Sequence, residues 1–345
     1  MNVAFQTLYI QTDGVVLRLD HDTVVATREK EVISQIPLHH VQSIVAIGRV
    51  SLTSPLLERC ARDGRSVVRL DGRGRFLYRL EGPKSGNVLL RTAQYQVWMD
   101  RARSVPIVQA IVAGKIYNAR QCLLRTARDT ARKASEEALR QAAHDMAKDL
   151  RRLRAETDLN ALRGIEGINA KRYFSVFAEQ LTDQVDSGIV FEGRTRRPPR
   201  DAVNCVLSFL YALLSHDVVS AVESVGLDPQ IGYLHTLWPG RPSLALDLME
   251  ELRPILADRI AITLFNRRQL RETDFELLPG GAVSLGERGR RTVIAAYQKR
   301  KQDEVEHPML RTKVSLGRVP VLQARLLARA IRRDPVSYVP FLYKG

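Results

Sequence analysis

Along roughly the first eighty positions apolar residues alternate with polar ones, and beyond them they recur every three or four. TLYIQ (7–11) and VVLRLD (15–20) flank Thr12-Asp13-Gly14 and read as a hairpin. TVVATR, VISQI and SIVAIG follow as short β-branched runs. SPLLERCARDG reads as one helix, capped by Ser54, started by Pro55 and ended by Gly64. SVVRLD, the turn 71–74 and FLYRLEG form a second hairpin. GPKSGN (82–87) gathers Pro and Gly where the period changes, which makes it the linker.

The rest reads as helices. VPIVQAIVAGKIYNARQCLLRTAR holds an apolar stripe at Ile107, Ile111 and Cys122–Leu124, and Thr126–Arg154 reads as exposed amphipathic helix. The pattern predicts an α+β protein. A small β-rich N-terminal domain (1–84) precedes a larger all-helical one (85–345).

Charge adds a partner class. Among 345 residues, 53 Lys and Arg stand against 38 Asp and Glu, a formal net charge of +15. Cations in that excess favour a phosphate polyanion, because each neutralised phosphate releases condensed counterions. An anionic membrane surface is the weaker alternative. Cys60, Cys122 and Cys205 make no Cys-x-x-Cys pair, which argues against a thiolate zinc site or a disulfide framework and points to a reducing cytoplasm. The start lacks the basic-then-apolar order of a secretory signal. AVNCVLSFLYALLS (202–215) is too short to span a bilayer and predicts a buried core helix. No Gly-x₄-Gly-Lys-Ser/Thr loop and no Gly-x-Ser-x-Gly elbow is present, which leaves ATP-driven chemistry and that serine nucleophile without support.

Three stretches bear groups able to act on such a partner. A helix from Ser243 to Pro254 would turn Leu244, Leu248, Leu252 and Ile255 inward, with Asp247 and Glu250 on the adjoining face and Glu251 beside Asp247. Carboxylates set together beside an apolar stripe repel unless a cation joins them, although ordinary helix surface carries such pairs too. His235, in GYLH just upstream, would complete a mixed imidazole–carboxylate set suited to Mn²⁺ or Mg²⁺; a packed structural histidine is the plainer explanation. Glu166 sits between two glycines at the start of an apparent helix in LRGIEGINAKRYF, where the helix dipole alone would favour a carboxylate. Spacing does not show that Glu166 meets His235. Arg194, Arg196, Arg197 and Arg200 surround Pro198-Pro199 in a loop that reads equally as linker or DNA contact.

Taken together, GIEG followed by Tyr173-Phe174, DAVNCVLSFLYALLS, GYLH and GRPSLALDLMEELRP, with KIYNAR and RTAQY in support, resemble the CRISPR spacer-acquisition integrases, the Cas-one family. The resemblance covers most of the chain and implies a metal site for Mg²⁺ or Mn²⁺ made by Glu166, His235 and Glu250, with Asp247 as a further ligand or as support behind one. It implies Lys171, Arg172, Tyr211 and Arg241 as DNA contacts, Tyr211 being equally well a core residue. It also implies double-stranded DNA as substrate (spacer precursor and CRISPR repeat), a homodimer formed through the β-rich half, and a small companion adaptation protein of the Cas-two family. Two other functions fit the same residues: a stand-alone nuclease for branched DNA, and a non-catalytic DNA-binding scaffold whose carboxylates merely pair with arginines.

Overall fold

The computed structural model describes residues 7–72, 74, 76–80, 82, 87–195, 198–332 and 337–344. The chain divides into two compact units, Met1–Ser85 and Gly86–Gly345.

The first unit contains strands β1 (Thr7–Ile10), β2 (Val16–Asp20), β3 (Thr23–Arg28), β4 (Glu31–Pro37), β5 (Ser43–Ile47) and β6 (Ser51–Leu52). Helix α1 (Ser54–Arg62) and strands β7 (Ser66–Leu70) and β8 (Phe76–Leu80) complete it. The strands form two sheets, ordered β1-β5-β7-β8 and β4-β3-β2-β6. Leu17, Val24, Ala26, Ile44, Ala46 and Val67 enter one core with Leu56 and Cys60 of α1, and β3, β5 and β7 are buried on their other face as well, at Val25, Val45 and Val68.

The first hairpin expected from sequence does not form. β1 pairs in parallel with β5, whereas β2 pairs with β3 and β6. The Asp13-Gly14 turn passes the chain from one sheet to the other, held by Gly14 N–H on the Arg49 carbonyl at 2.8 Å and Arg49 N–H on Asp13 at 2.8 Å. A two-residue turn signal specifies a reversal but not the strand that pairs next. The second hairpin forms, β7 antiparallel to β8, with Arg73 of its turn outside the described residues. Most of the expected linker, 83–86, also lies outside them. Thr53, not Ser54, precedes α1 as its cap residue.

The second unit is mostly helical: α2 (Val88–Met99), α3 (Arg101–Asp129), α4 (Lys133–Leu153), α5 (Leu159–Ser175), α6 (Ala202–Val225), α7 (Ser243–Met249) and α8 (Arg259–Asn266). Asn87, Asp100, Asp158 and Asp201 cap α2, α3, α5 and α6, each accepting a first-turn N–H that the helix cannot satisfy itself. The expectation of an all-helical unit needs correction. After α8 come the hairpin β9 (Phe275–Leu278) and β10 (Ala282–Leu285), helix α9 (Glu287–Gln302), a second hairpin β11 (Glu304–His307) and β12 (Thr312–Ser315), and finally α10 (Val319–Ile331). Each hairpin strand has four residues, too few for a period of two to stand out beside helical patterns.

Helix α6 is longer than its most apolar stretch suggested. Over 24 residues it is long and apolar enough to cross a membrane by length and composition, yet 61% of that apolar window is buried inside the protein. Val203, Leu207, Leu210, Leu214, Val218 and Val222 are fully buried along it, so it serves as a core helix of this unit.

Candidate active site

The site is built from one loop and three helical segments. Gly232, in the loop before α7, lies against Ser243, and a β-carbon there would fall 2.6 Å from the Ser243 carbonyl carbon. Only glycine allows that approach. The loop and the first turn of α7 therefore run together, and Asp247 of α7 turns back onto the loop. Its Oδ2 accepts the backbone N–H of Tyr233 at 2.6 Å and of Leu234 at 3.0 Å. Its Oδ1 accepts the N–H of His235 at 2.9 Å and lies 2.7 Å from His235 Nδ1. A carboxylate only accepts, so Nδ1 carries a proton and donates it, which fixes the direction in which Nε2 points. Nε2 lies 3.8 Å from Glu250 Oε1.

The acidic helix ends sooner than its sequence suggested. α7 stops at Met249, Pro242 takes the cap position, and the Ser243 hydroxyl bonds the Thr236 carbonyl at 3.1 Å instead of capping. A π turn, Arg253–Asp258, follows. Pro254 brings no N–H to the ladder, and the wider turn satisfies the chain around it. Asp247 and Glu250 meet different partners: Asp247 faces the loop amides, while Glu250 takes the C-cap position of α7. Glu251 departs altogether, accepting from Tyr338 Oη at 2.6 Å, Gln323 Nε2 at 2.9 Å and Phe341 N–H at 2.8 Å. Burial pushes its carboxyl up to about 8.

Glu250 is buried, with Arg253 at 2.7 Å from Oε1 and Lys115 Nζ at 2.6 Å from Oε2. Burial alone would raise its carboxyl; Arg253, Lys115 and His235 outweigh that and bring it down to about 2. Lys115, from α3, also bonds Glu166 Oε1, so one ammonium bridges the two carboxylates. Glu166 lies in the middle of α5, not at a helix start, because the helix begins at Leu159. Gly164 and Gly167 on either side of it have open space where side chains would stand. Arg163, one turn before Glu166, donates to the Leu234 carbonyl at 2.7 Å and ties α5 to the histidine loop. The structure thus brings Glu166, His235 and Glu250 to one place, with Asp247 behind the histidine.

Two partners in this cluster were not singled out from sequence. Lys115 lies in KIYNAR, a segment noted only for its resemblance, and Arg253 follows Glu250 by three residues. A basic residue bracketed by apolar ones on a helix resembles any solvated lysine until the opposing carboxylates are seen.

The expected DNA contacts divide. Lys171 is exposed. Arg172 is instead committed to Asp149 at 2.8 Å and Asn169 at 3.1 Å. The Tyr211 ring carries Arg253 and Arg194 over it, 4.9 and 5.3 Å from its centroid, and its hydroxyl donates to Asp258 at 2.6 Å. It is a structural residue of the site's wall. Arg194 is anchored further by Asn204 at 2.7 Å, so it does not project from the basic loop; Arg196 and Arg197 lie outside the described residues. Arg241 is half-buried at the end of the loop turn.

Among the described residues no three His, Cys, Asp or Glu side chains stand together as a ready-made metal cluster. Lys115 fills the position between Glu166 and Glu250. Three features nevertheless fit a divalent cation: His235 Nε2 turned toward Glu250, a buried Glu250 Oε2 that lacks an aligned hydrogen bond even with Lys115 beside it, and a mixed nitrogen–oxygen donor set.

A β-rich unit followed by a mostly helical one is a fold already seen in solved structures. The chain superimposes on a Cas1 protein from Thermotoga maritima with a TM-score of 0.80 over 96% of this chain and 98% of that one, at 23% identity. It superimposes on a casposase bound to integration product with a TM-score of 0.83 over 99% and 95%, at 21% identity. Residues 8–299 match the family described as CRISPR associated protein Cas1. The chain is 51% identical over 344 residues to "CRISPR-associated endonuclease Cas1 1" of Moorella thermoacetica, covering all of both chains. It is 48% identical over 350 residues to "CRISPR-associated endonuclease Cas1 2" of Rhodospirillum rubrum, again covering both throughout. The chain belongs to the CRISPR-associated Cas1 family.

Proposed function

We propose that this chain is the metal-dependent DNA endonuclease and integrase of a CRISPR adaptation system, joining new spacer DNA to the array by transesterification. The observation that carries the reading is the convergence of Glu166, His235 and Glu250 from three separate segments, with Asp247 fixing the histidine. Relatives near half identity are named endonucleases, and fold neighbours include a casposase bound to integration product and a Cas6-RT-Cas1–Cas2 complex.

Glu166, His235 through Nε2, and Glu250 would hold Mg²⁺ or Mn²⁺. Bound there, a divalent cation would supply Lewis-acid stabilisation of charge developing on a scissile phosphate. The protein's own groups do the rest. Asp247 holds the imidazole in one tautomer and one direction. Arg253 and Lys115 keep Glu250 a carboxylate despite its burial. In strand joining, the 3′-hydroxyl of a fragment attacks phosphorus, a new P–O bond forms, the old bond to the array strand breaks, and the departing 3′-oxygen takes up a proton. The number of phosphodiesters is conserved, so no nucleotide energy source is needed. With water as nucleophile the same site cleaves.

Double-stranded DNA, a homodimer and a small companion of the Cas2 type complete the reading. The net charge of +15 supports the first. For the second, β4 and β8 leave Val32, Ile33, Leu77 and Tyr78 about half exposed on the N-terminal unit, apolar surface suited to a second copy. Cys60, Cys122 and Cys205 are buried free thiols, which agrees with work in a reducing cytoplasm.

The test incubates the chain with the companion, short duplex DNA, a repeat-bearing plasmid and Mn²⁺ or Mg²⁺, and looks for covalently joined products. Glu166→Ala, His235→Ala and Glu250→Ala should each abolish joining while leaving DNA retention in place. Joining that survives all three would remove this site. Unchanged output would leave a DNA-binding scaffold in which Lys115 and Arg253 merely neutralise carboxylates.

A further inference from the structure

The loop that carries His235 also presents an aromatic surface that the described residues leave uncovered. Trp238, three residues on, is 72% exposed. Exposure on this scale leaves most of the largest apolar side chain in water, at a cost that packing would normally remove. Its position is nonetheless fixed. Trp238-Pro239-Gly240-Arg241 form a tight turn closed by Arg241 N–H on the Trp238 carbonyl at 2.9 Å, with Pro second and Gly240 third at φ +75°. That is the arrangement of a type II turn, whose third position requires positive φ.

Both ends of the turn are tied to the site. Upstream, Asp247 holds the amides of residues 233–235, and Arg163 of α5 holds the Leu234 carbonyl. Downstream, Ser243 N–H bonds the Arg241 carbonyl at 2.8 Å and its hydroxyl bonds Thr236. Three residues span at most about 11 Å, so the Trp238 backbone lies within a nucleotide or two of the His235 imidazole. The same loop and the helix it is tied to bring Arg241 and Arg163 as cationic neighbours.

We propose that Trp238 is a positioning residue: its indole stacks on an unpaired base of the DNA strand entering the site, and so places the reacting 3′-end or phosphate against the Glu166–His235–Glu250 cluster. The inference rests on DNA being the substrate. Stacking suits the location because every base offers a π-face whatever its sequence, so one fixed ring registers any incoming strand. Phosphates engaged by arginines alone leave the strand free to slide along the protein; a stacked base holds it at one nucleotide.

The chain's two tryptophans make the test direct. In a Trp98→Phe background Trp238 is the sole indole reporter, and single-stranded oligothymidylate should quench its emission saturably, well beyond what a blunt duplex of equal length produces. Trp238→Ala should lower joining and cleavage about tenfold or more, chiefly by raising KM, whereas Trp238→Phe should restore most of it. Absence of quenching, or equal activity in the Ala and Phe variants, would overturn the proposal. Quenching in a protein that joins no strands would uphold stacking and count instead against the proposed reaction.

Discussion

Asp247 receives His235 at two points on a single oxygen, the backbone N–H at 2.9 Å and Nδ1 at 2.7 Å. Loop position and ring orientation are thereby set by one buried carboxylate. Asp247→Asn presents an amide N–H where acceptors are needed, which frees the ring and orphans loop amides. Joining activity and divalent-metal affinity should each fall about 10- to 100-fold, and stability by about 2–4 kcal/mol. Calorimetric metal titration and denaturant unfolding measure the two; wild-type metal affinity in this variant would refute the orienting role.

Lys115 bridges Glu166 and Glu250, so a divalent cation must displace its ammonium or share the space with it. Lys115→Met leaves Glu250 with Arg253 alone and Glu166 without its bridging partner. The metal-free variant should melt about 5 °C or more below wild type, since one half of a buried ion pair left alone is strongly destabilising. Mn²⁺ should then raise the melting temperature of the variant more than that of wild type. Equal shifts in a thermal scan would show that lysine and metal do not contend for one place.

Asp258 is buried at the end of the π turn, its carboxyl raised from 3.8 to about 6 by burial, against the lowering influence of the Tyr211 and Tyr173 hydroxyls. A folded-state pKa above the unfolded value stabilises most when the group is protonated. This contribution is complete below about pH 4 and is lost as pH rises through about 6. Asp258→Asn should therefore stabilise by about 1–2 kcal/mol at pH 8 and change little at pH 4. Equal effects at the two pH values, read from denaturant unfolding, would contradict the assignment.

Gly114 marks where the C-terminal segment lies against the catalytic helices. A β-carbon there would meet Pro340 Cβ at 2.8 Å and Glu251 Cγ at 3.0 Å. The segment is further held by Asn118, which donates to the Phe341 carbonyl at 2.8 Å and accepts from Tyr343 N–H at 2.8 Å. Gly114→Ala should lower stability by about 1–3 kcal/mol, beyond the roughly 1 kcal/mol that alanine adds to a helix interior. Limited proteolysis should then cut within residues 337–344 faster than in wild type; unchanged cleavage would mean the segment yields without strain.

Periodicity in the sequence alone separated a β-rich first unit from a helical second, because patterns of two and of 3.6 arise from local backbone geometry. The apolar run 202–215 marked α6 as a core helix, residue type marked Glu166, His235 and the Asp247–Glu250 pair as candidates, and the resemblance to the Cas-one family joined Glu166, His235 and Glu250 into one set. Partners distant in the chain were another matter. That β1 pairs with β5 and not with β2, that Asp247 turns behind the histidine while Glu250 faces Lys115, and that Glu251 serves the C-terminal segment all depend on which surfaces meet after folding. Helical spacing put Asp247, Glu250 and Glu251 near one another on a single wheel. Folding set a different partner against each of the three, the loop amides, Lys115 with Arg253, and the C-terminal segment, a decision made by packing and by the search of each buried oxygen for a donor.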